Sequence, residues 1–422
     1  MKIALILGRG IEGAGVTRFM IEICGFLSRA DIEHQVYVMD DKKWGRGKAQ
    51  DMPEYKDITK DNIKTIADEL NKYDYVFLNS VPSKKHSEWA QEGFLQMVKD
   101  ITTKKIIFQN DHKPASIHRN ANFFELCELV DGIVSHSITS PFYKKLIELY
   151  GTEIKDKFIQ LHVGFNFEPL EKYKKTDHFK KITYLGRFAT FKAPELLYGL
   201  LPYSKNNNLL LEMKGIERSL GALPIFYDDI GKRIPNSKMI ECNPKAIENG
   251  LVIDNNKRDL DKVYIFGPYD YIDGMETLSS SLVGADFYHL AEDAYGDNFE
   301  YAQCEIVGVG TIPMFSYHWA KNCWIYDKNG NKTGQKFSDL EHYGLFLDAE
   351  KIRGEGWDIR NAQEVVEKIN DIYTNKGLKK KYLECSYEVT RDHCDSEWIF
   401  QKLVDDVQEL NKAKYIKSKS LF

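Results

Sequence analysis

Short apolar runs alternate with longer stretches of helical periodicity through the first part of the chain. The runs predict strands at Lys2–Leu7, Gln35–Met39, Tyr75–Asn79, Lys105–Gln109, Gly132–Ser135 and Ile159–Leu161. The periodic stretches predict helices over Thr17–Arg29, Asp61–Asn71, Ser87–Asp100 and Ser140–Leu149. Buried strands that alternate with helices form a parallel, doubly wound sheet. The stretch EKYKKTDHFKK, Glu171–Lys181, lacks periodic apolar positions and reads as a solvated linker. The pattern then restarts. Strands are expected at Ile182–Leu185, Leu209–Met213, Val263–Phe266, Ala285–Tyr288, Ile312–Phe315 and Leu345–Leu347, and helices at Pro194–Leu201, Asp273–Val283, Asn298–Val307 and Ala362–Tyr373. Ser219–Lys262 is polar, poorly periodic and reads as a surface insertion. An amphipathic helix at Ser396–Leu410 and a lysine-rich tail close the chain.

The expected organisation is therefore α/β, with two doubly wound domains: residues 1–170, a linker at 171–181, and residues 182–395. Residues 396–422 form a terminal helix and basic tail that pack back on the first domain. Ligands of open α/β sheets sit beyond the carboxyl ends of the strands, so the cleft between two such domains is the expected site.

Composition narrows the class. A chain of 422 residues exceeds one compact core. A hydrophobic share of 43% and a charged share of 29% fit a soluble globular protein, and no apolar run reaches the ~18 residues of a membrane span. The chain enters a strand at once, which argues against a signal peptide. Seven cysteines are scattered without metal-type or disulfide-type spacing, which fits a reducing cytoplasm. With a net charge of −5 and a pI near 6.2, nucleic-acid contact must come from local patches rather than bulk charge.

Three motifs carry candidate chemistry. Gly8, Gly10 and Gly13 spell G-x-G-x-x-G between the first strand and first helix, where backbone N–H groups cradle phosphate. Asp40 and Asp41 follow the second strand, so the turn is compatible with a nicotinamide dinucleotide. In the second half, GRFATFK (Gly186–Lys192) places Arg187 and Lys192 in a strand-to-helix turn. Two cations there can neutralise a diphosphate leaving group, or be solvated surface residues. Glu300 and Glu305 open the helix of FEYAQCEIVGVGTIPMF, Phe299–Phe315. They are suited either to helix capping or to accepting hydrogen bonds from sugar hydroxyls.

Taken together, these segments resemble the DNA α-glucosyltransferase family of T-even phages, retaining glycosyltransferases of the GT-B fold. The resemblance runs through RGIEGAGVTRF (Arg9–Phe19), NSVP (Asn79–Pro82), QNDH (Gln109–His112), RN (Arg119–Asn120), SHS (Ser135–Ser137), GR…K (Gly186–Lys192), GIERS (Gly215–Ser219) and EYAQCEIVGVGTIPMF, in that order. It implies transfer of a sugar from a UDP-sugar to the hydroxyl of hydroxymethylcytosine or hydroxycytosine in double-stranded DNA, in the cytoplasm of an infected bacterium, by a monomer with no membrane partner. Carried onto this chain, Arg187 and Lys192 hold the diphosphate, Glu305 the ribose of UDP and Glu300 the donor sugar. Glu217 and Arg218 join the donor site. Backbone N–H groups of Gly13, Gly15, Val16 and Thr17 face the diphosphate, with Glu12 and Arg18 in reach of the sugar. Asp111 is the acid beside the acceptor.

The residues themselves agree with that division. Asp111 and His112 follow a strand at its carboxyl edge, where Asp111 can accept a proton from an attacking hydroxyl and His112 can do the same or orient it. No D-x-D stands on a strand edge, and two cations can replace Mg²⁺, so transfer is expected to need no metal or other cofactor. One departure matters: where the family reads Gln-His-Asp-His, this chain has Gln109-Asn110-Asp111-His112. Related enzymes use a histidine in this region to contact the sugar's 6-hydroxymethyl group, which a pentose lacks. A pentose such as arabinose is therefore slightly favoured over glucose as donor, although Asn110 can also hydrogen-bond a hydroxyl.

DNA contact is expected at Lys113, His118 and Arg119, which flank Asp111. Lys84–Lys85–His86, Lys144–Lys145 and the linker lysines are further candidates. A cytosine substituent deep in a cleft is reached by flipping the base, with Phe123, Phe188 or Phe191 available for stacking or core packing. Two alternatives remain: a GT-B enzyme acting on a small molecule or polysaccharide, and an NAD-dependent dehydrogenase that leaves the Arg187/Lys192 and Glu300/Glu305 pairs unexplained.

Overall fold

The computed structural model describes residues 1–10, 15–41, 52–109, 122–136, 141–187, 192–216, 238–242, 254–266, 270–287, 299–352 and 356–419. The chain divides into two units: Met1–Asn166 with Cys394–Phe422, and Phe167–His393. Among the described residues, no helix is long and apolar enough to cross a membrane.

The first unit holds β1 (Lys2–Leu7), β2 (Glu33–Met39), β3 (Tyr55–Ile58), β4 (Tyr75–Asn79), β5 (Lys104–Gln109), β6 (Gly132–Ser135) and β7 (Phe158–Gln160). They form one sheet in the order β3-β2-β1-β4-β5-β6-β7, parallel throughout. Helices α1 (Gly15–Arg29), α2 (Ile66–Leu70), α3 (Glu88–Asp100), α4 (Phe123–Leu129) and α5 (Pro141–Tyr150) connect the strands. Every residue of β4 is buried, as is all of β1 after Lys2. That is the signature of strands covered on both faces, and it is why they read as continuous apolar runs rather than alternating ones. The strand expected at Ile159–Leu161 starts one residue earlier. The helix expected over Asp61–Asn71 shrinks to α2, because Asp61–Thr65 are turns tied by Asn62, whose side-chain oxygen accepts from the Thr59 N–H at 2.8 Å.

The second unit repeats the plan. Its strands are β8 (Phe179–Arg187), β9 (Leu210–Ile216), β10 (Met239–Cys242), β11 (Val263–Phe266), β12 (Ser281–Ala285), β13 (Ile312–Ser316) and, after a hairpin of β14 (Trp324–Tyr326) and β15 (Lys332–Lys336), β16 (Leu345–Leu347). The sheet order β10-β11-β9-β8-β12-β13-β16 is again all parallel. A second hairpin pairs β17 (Ala349–Ile352) with β18 (Gly356–Ile359). The helices are the short α6 (Leu196–Gly199) and α7 (Leu201–Ser204), then α8 (Tyr271–Ser279), α9 (Tyr301–Gly308), the single turn α10 (Tyr317–Ala320), α11 (Ala362–Thr374) and α12 (Lys376–Cys394).

Several expectations are corrected. The helix foreseen over Asp273–Val283 stops at Ser279. Ser281–Ala285 is a strand with all five residues buried, which moves the strand placed at Ala285–Tyr288 upstream. The polar insertion contains edge strand β10, and the hairpins and α12 were not anticipated. The solvated reading of Glu171–Lys181 fails at its end. β8 begins at Phe179, and Lys181 is 3% exposed. Its Nζ lies 3.3 Å from both carboxylate oxygens of buried Glu212, to which Arg258 Nη1 donates at 2.6 Å.

α13 (Ser396–Lys419) belongs to the first unit. The Phe165 N–H donates to the Cys394 carbonyl at 2.8 Å. Arg29 Nε donates to Glu397 at 2.7 Å, and the Phe400 ring packs 5.7 Å from that of Phe19.

Candidate active site

Strand order reverses between β1 and β4 in the first unit and between β8 and β12 in the second. Such switch points leave a crevice at the carboxyl end of the sheet, because successive crossovers leave on opposite faces. Both motif-bearing loops arise there.

In the first unit the glycine-rich turn leaves β1 and rests on the NSVP segment that leaves β4. The Arg9 N–H donates to Ser80 Oγ at 3.2 Å and Arg9 Nε to the Val81 carbonyl at 2.9 Å. Asn79 Nδ2 donates to the Val16 carbonyl at 3.0 Å, fixing the first turn of α1. Gly8 is glycine because a Cβ would stand 2.6 Å from the Ser80 carbonyl oxygen and 2.9 Å from the Phe94 ring. Ser80 itself holds φ +74, a conformation that costs a non-glycine residue ~1–3 kcal/mol and tends to persist at functional turns. α1 begins at Gly15 with no acidic residue in its first turn and Arg29 in its last, so the charges on the helix itself do not oppose an anion at its start. Gly15 is exposed, Val16 half-buried and Thr17 buried. Arg18 is committed locally. Its Nη2 pairs with Glu22 Oε1 at 2.7 Å, and its guanidinium stands 5.0 Å over the Phe165 ring. Burial pushes the Glu22 carboxyl up, against the pull of Arg18 and the Asn166 N–H.

Two candidate groups of this unit serve the fold. Asp41 is buried and accepts from the Ser87 N–H at 2.6 Å and Ser87 Oγ at 2.7 Å. It therefore anchors the start of α3 and is not a ribose ligand. His86 is 1% exposed, with Nδ1 within 3.0 Å of the Ser83 N–H, and burial lowers its pKa. The expected Lys84–Lys85–His86 cationic patch thus reduces to two exposed lysines. Phe123 is 2% exposed and packs 5.5 Å from Phe142, so it is core. Gly13, Asn110, Asp111, His112, Lys113, His118 and Arg119 lie outside the described residues, as do Glu12, Phe188 and Phe191.

In the second unit, β8 ends at Arg187, and the described chain resumes at Lys192. Only the backbone of Arg187 is described, and Glu217 and Arg218 lie outside the described residues. Lys192 is 8% exposed. Its ammonium is paired with Glu300 Oε2 and lies 3.9 Å from Asp286 Oδ1, the residue that follows β12 at the same switch point. Ala193, the residue after Lys192, holds φ +43 in a fully packed position, so the backbone there is strained and held by its surroundings.

Glu300 is the N-cap of α9, in extended conformation, and Gln303 Oε1 accepts from its N–H at 2.9 Å to close a capping box. The capping reading of Glu300 is thus realised, and its carboxylate still reaches Lys192. The preceding Phe299 fixes the entry to the helix, with its ring 5.0 Å from Trp319, 5.2 Å from Phe337 and 4.9 Å from His393. Glu305 is half-buried on α9. Five residues separate the two acids, ~140° around a helix, so a ligand touching both lies across the helix start rather than along one face. The far end of α9 is fixed as well. A Cβ on Gly308 would meet Leu170 at 2.5 Å, Gly310 has φ +78, and His178 Nε2 donates to the Gly310 carbonyl at 3.0 Å. Sequence reasoning missed Asp286 because it was placed inside a strand rather than at a strand end. Among the described residues no cluster of three His, Cys, Asp or Glu could hold a metal.

Lys192 with its two carboxylates, the Glu300-capped helix α9 and the start of α1 each stand at or beside the switch point of a Rossmann-like sheet. The fold is GT-B: the chain superposes with an alpha-glucosyltransferase in complex with UDP and a 13-mer DNA containing a HMU base at a TM-score of 0.81, 21% identity, covering 97% of this chain and 99% of that one. It also resembles Anabaena HepE in complex with UDP and glucose, with a TM-score of 0.59 and 12% identity, over 97% of this chain and 100% of that one. Residues 14–336 match the family model described as DNA alpha-glucosyltransferase. The chain belongs to that family and is a glycosyltransferase. It is 23% identical over 429 residues to the DNA alpha-glucosyltransferase of Enterobacteria phage T4, covering 96% of this chain and 99% of that protein.

Proposed function

We propose that the protein transfers a sugar from a UDP-sugar to the hydroxyl of a modified cytosine in double-stranded phage DNA, with retention of configuration. The observation that carries this reading is the family match over residues 14–336, which spans α1 and both second-unit motifs. The T4 relative is a DNA glucosyltransferase, and relatives of the same fold hold UDP, UDP-glucose and DNA.

In this reading Lys192 and Arg187 neutralise the diphosphate as the bond to the sugar breaks. Lys192 rests against Glu300 and Asp286. Two carboxylates against one ammonium leave no net positive charge at Lys192, so Arg187 supplies the balance for an anion. Glu300 accepts from a sugar hydroxyl and Glu305 from the ribose. Glu217 and Arg218 complete the donor site. Asp111 accepts the proton of the attacking hydroxyl or positions it, with Asn110 and His112 beside it and Lys113, His118 and Arg119 on the DNA phosphates. Two cations, Arg187 and Lys192, can take the place of a divalent metal on the diphosphate, so turnover should survive EDTA. Asn110, in place of the family's histidine, favours a pentose donor over a hexose.

The test is incubation with DNA containing hydroxymethylcytosine or hydroxycytosine and a panel of UDP-sugars, followed by mass analysis of the nucleosides. A sugar adduct on cytosine is expected. Exclusive use of UDP-glucose removes the pentose reading, and no adduct with any donor removes the DNA reading.

A further inference from the structure

Trp324–Lys336 is a two-stranded antiparallel ribbon in the second unit that none of the chemistry above employs. β14 and β15 pair with Trp324 opposite Lys336 and Tyr326 opposite Lys332. Residues Lys332–Gln335 are exposed throughout. The ribbon is rigid at its base: Phe337 is fully buried, its ring 4.9 Å from Trp319 and 4.7 Å from Tyr343, and Ile325 is 6% exposed. Its acids are spent on the backbone. Asp327 accepts from the Asn329 N–H at 2.8 Å and the Asn331 N–H at 2.9 Å, and Asp339 from the Lys336 N–H at 2.8 Å.

Several lysines of the unit are neutralised by acids. Lys174, Lys181, Lys192, Lys214 and Lys238 each face a carboxylate. Among the described residues, Lys328, Lys332 and Lys336 form no ion pair. Instead Lys332 Nζ lies 4.0 Å and Lys336 Nζ 4.8 Å from the centroid of the Trp324 ring, so two ammonium groups converge on one indole. Gly334 lies between them at an irregularity in the pairing, with φ +83, and nothing lies within 4 Å of where its Cβ would be. Two like charges brought together without a counter-ion, on either side of a backbone open to close approach, are complementary to a chain of phosphates. An ammonium resting on an aromatic face keeps its charge and loses little further side-chain freedom on binding.

We propose that this ribbon binds the phosphate backbone of double-stranded DNA, with Lys328, Lys332 and Lys336 as the contacting groups and Trp324 as their support. The proposal rests on the DNA-acceptor reading. It gives an acidic chain a local, sequence-independent hold on its substrate, and a two-stranded ribbon has the dimensions of a DNA groove.

The test uses the full chain and a variant carrying Lys328→Ala, Lys332→Ala and Lys336→Ala, with fluorescence anisotropy on a labelled duplex over a range of KCl concentrations. All three positions are on the surface, so the UDP-induced thermal shift should be unchanged, which reports an intact donor site. The slope of log affinity against log salt should become shallower by about 2–3, at ~0.9 per lost phosphate contact, for any duplex sequence. A variant that binds duplex with the slope and affinity of the parent overturns the ribbon while leaving the DNA reading in place. A parent chain that shows the UDP shift yet binds no duplex at any salt concentration overturns both.

Discussion

Replacing Lys192 with methionine separates a donor-site lysine from one that merely clamps a helix. The substitution keeps the length of the side chain and removes the charge. The Lys192 side chain is 10% exposed, and its ammonium holds two carboxylates whose side chains are 2% (Asp286) and 29% (Glu300) exposed. Breaking a fully buried pair by deleting one partner costs about 3–5 kcal/mol. Glu300 can turn to water, so the expected loss here is smaller, about 2–3 kcal/mol, read as a lower urea midpoint with an unchanged slope. If the ammonium also donates to the diphosphate, a charge-assisted hydrogen bond of about 1.5–3 kcal/mol disappears, and UDP should bind about 10- to 100-fold more weakly. Calorimetry with UDP and with uridine makes the comparison internal, since uridine lacks the phosphates and should bind parent and variant alike. Glu300→Gln, which leaves Lys192 with Asp286, should keep or improve UDP affinity while lowering turnover. If Lys192→Met loses stability but binds UDP within about twofold of the parent, the lysine is a structural clamp and its assignment to the diphosphate fails.

Three further outcomes follow from the packing. Gly8→Ala must fit a methyl group 2.6 Å from the Ser80 carbonyl and 2.9 Å from the Phe94 ring, so it should cost about 1–3 kcal/mol in urea unfolding; a neutral result means that the β1 turn is looser than its contacts indicate. Glu212→Gln strands Lys181 and Arg258, whose side chains are 4% and 6% exposed, and should cost more than 3 kcal/mol. Lys181→Met leaves the 2.6 Å Arg258–Glu212 pair and should cost less than half as much, so equal losses would show that the triad does not act as drawn. Burial holds His178 down at about 4, against 6.5 unperturbed, so the native state resists a proton that the unfolded chain accepts. The stability tied to neutral His178 is complete above the unfolded value, falls as pH drops through the window from 6.5 to 4, and is gone below it. The loss is ~2 kcal/mol by pH 5, and urea midpoints at pH 7 and pH 5 should differ less in His178→Gln than in the parent.

The central parallel strands were legible because they are buried on both faces and read as unbroken apolar runs, whereas edge strands β3 and β10, YKDI and MIEC, were not foreseen. β4 and β11 begin and end where their sequences predict. Errors cluster where charge or polarity concealed burial. EKYKKTDHFKK looks solvated, yet its last lysine enters β8 and is neutralised by Glu212, a partner 31 residues away that no local pattern reveals. The boundary near Ser280 failed for the opposite reason. Gly-Met-Glu-Thr-Leu-Ser-Ser-Ser-Leu-Val keeps a helical spacing of apolar residues, and the chain turns from α8 to β12 within it without a glycine or proline stop. Hairpin β14–β15 has no alternating apolar pattern, because β15 is exposed on both faces and draws its hold from Trp324 and the base beneath it.

The glycine-rich turn shows why a motif and its chemistry must be read apart. Gly8 and Gly10 meet steric demands inside the first unit: one approaches the Ser80 carbonyl and the other adopts φ +72. Those demands belong to any turn that brings β1 into the crevice beside β4, whatever lies in it. Of the two acids after β2, Asp41 is spent on Ser87 and holds the start of α3. What survives of the fingerprint is its general part, a helix that starts beside the end of β1 with no acid in its first turn. The specific part lies in the second unit, where Lys192, Asp286 and Glu300 meet although they are 94 and 108 residues apart from the lysine in sequence. Arg187-x4-Lys192 and Glu300-x4-Glu305 could each be found in the sequence, but only the sheet order, with β8 beside β12, makes one site of the first motif and Asp286.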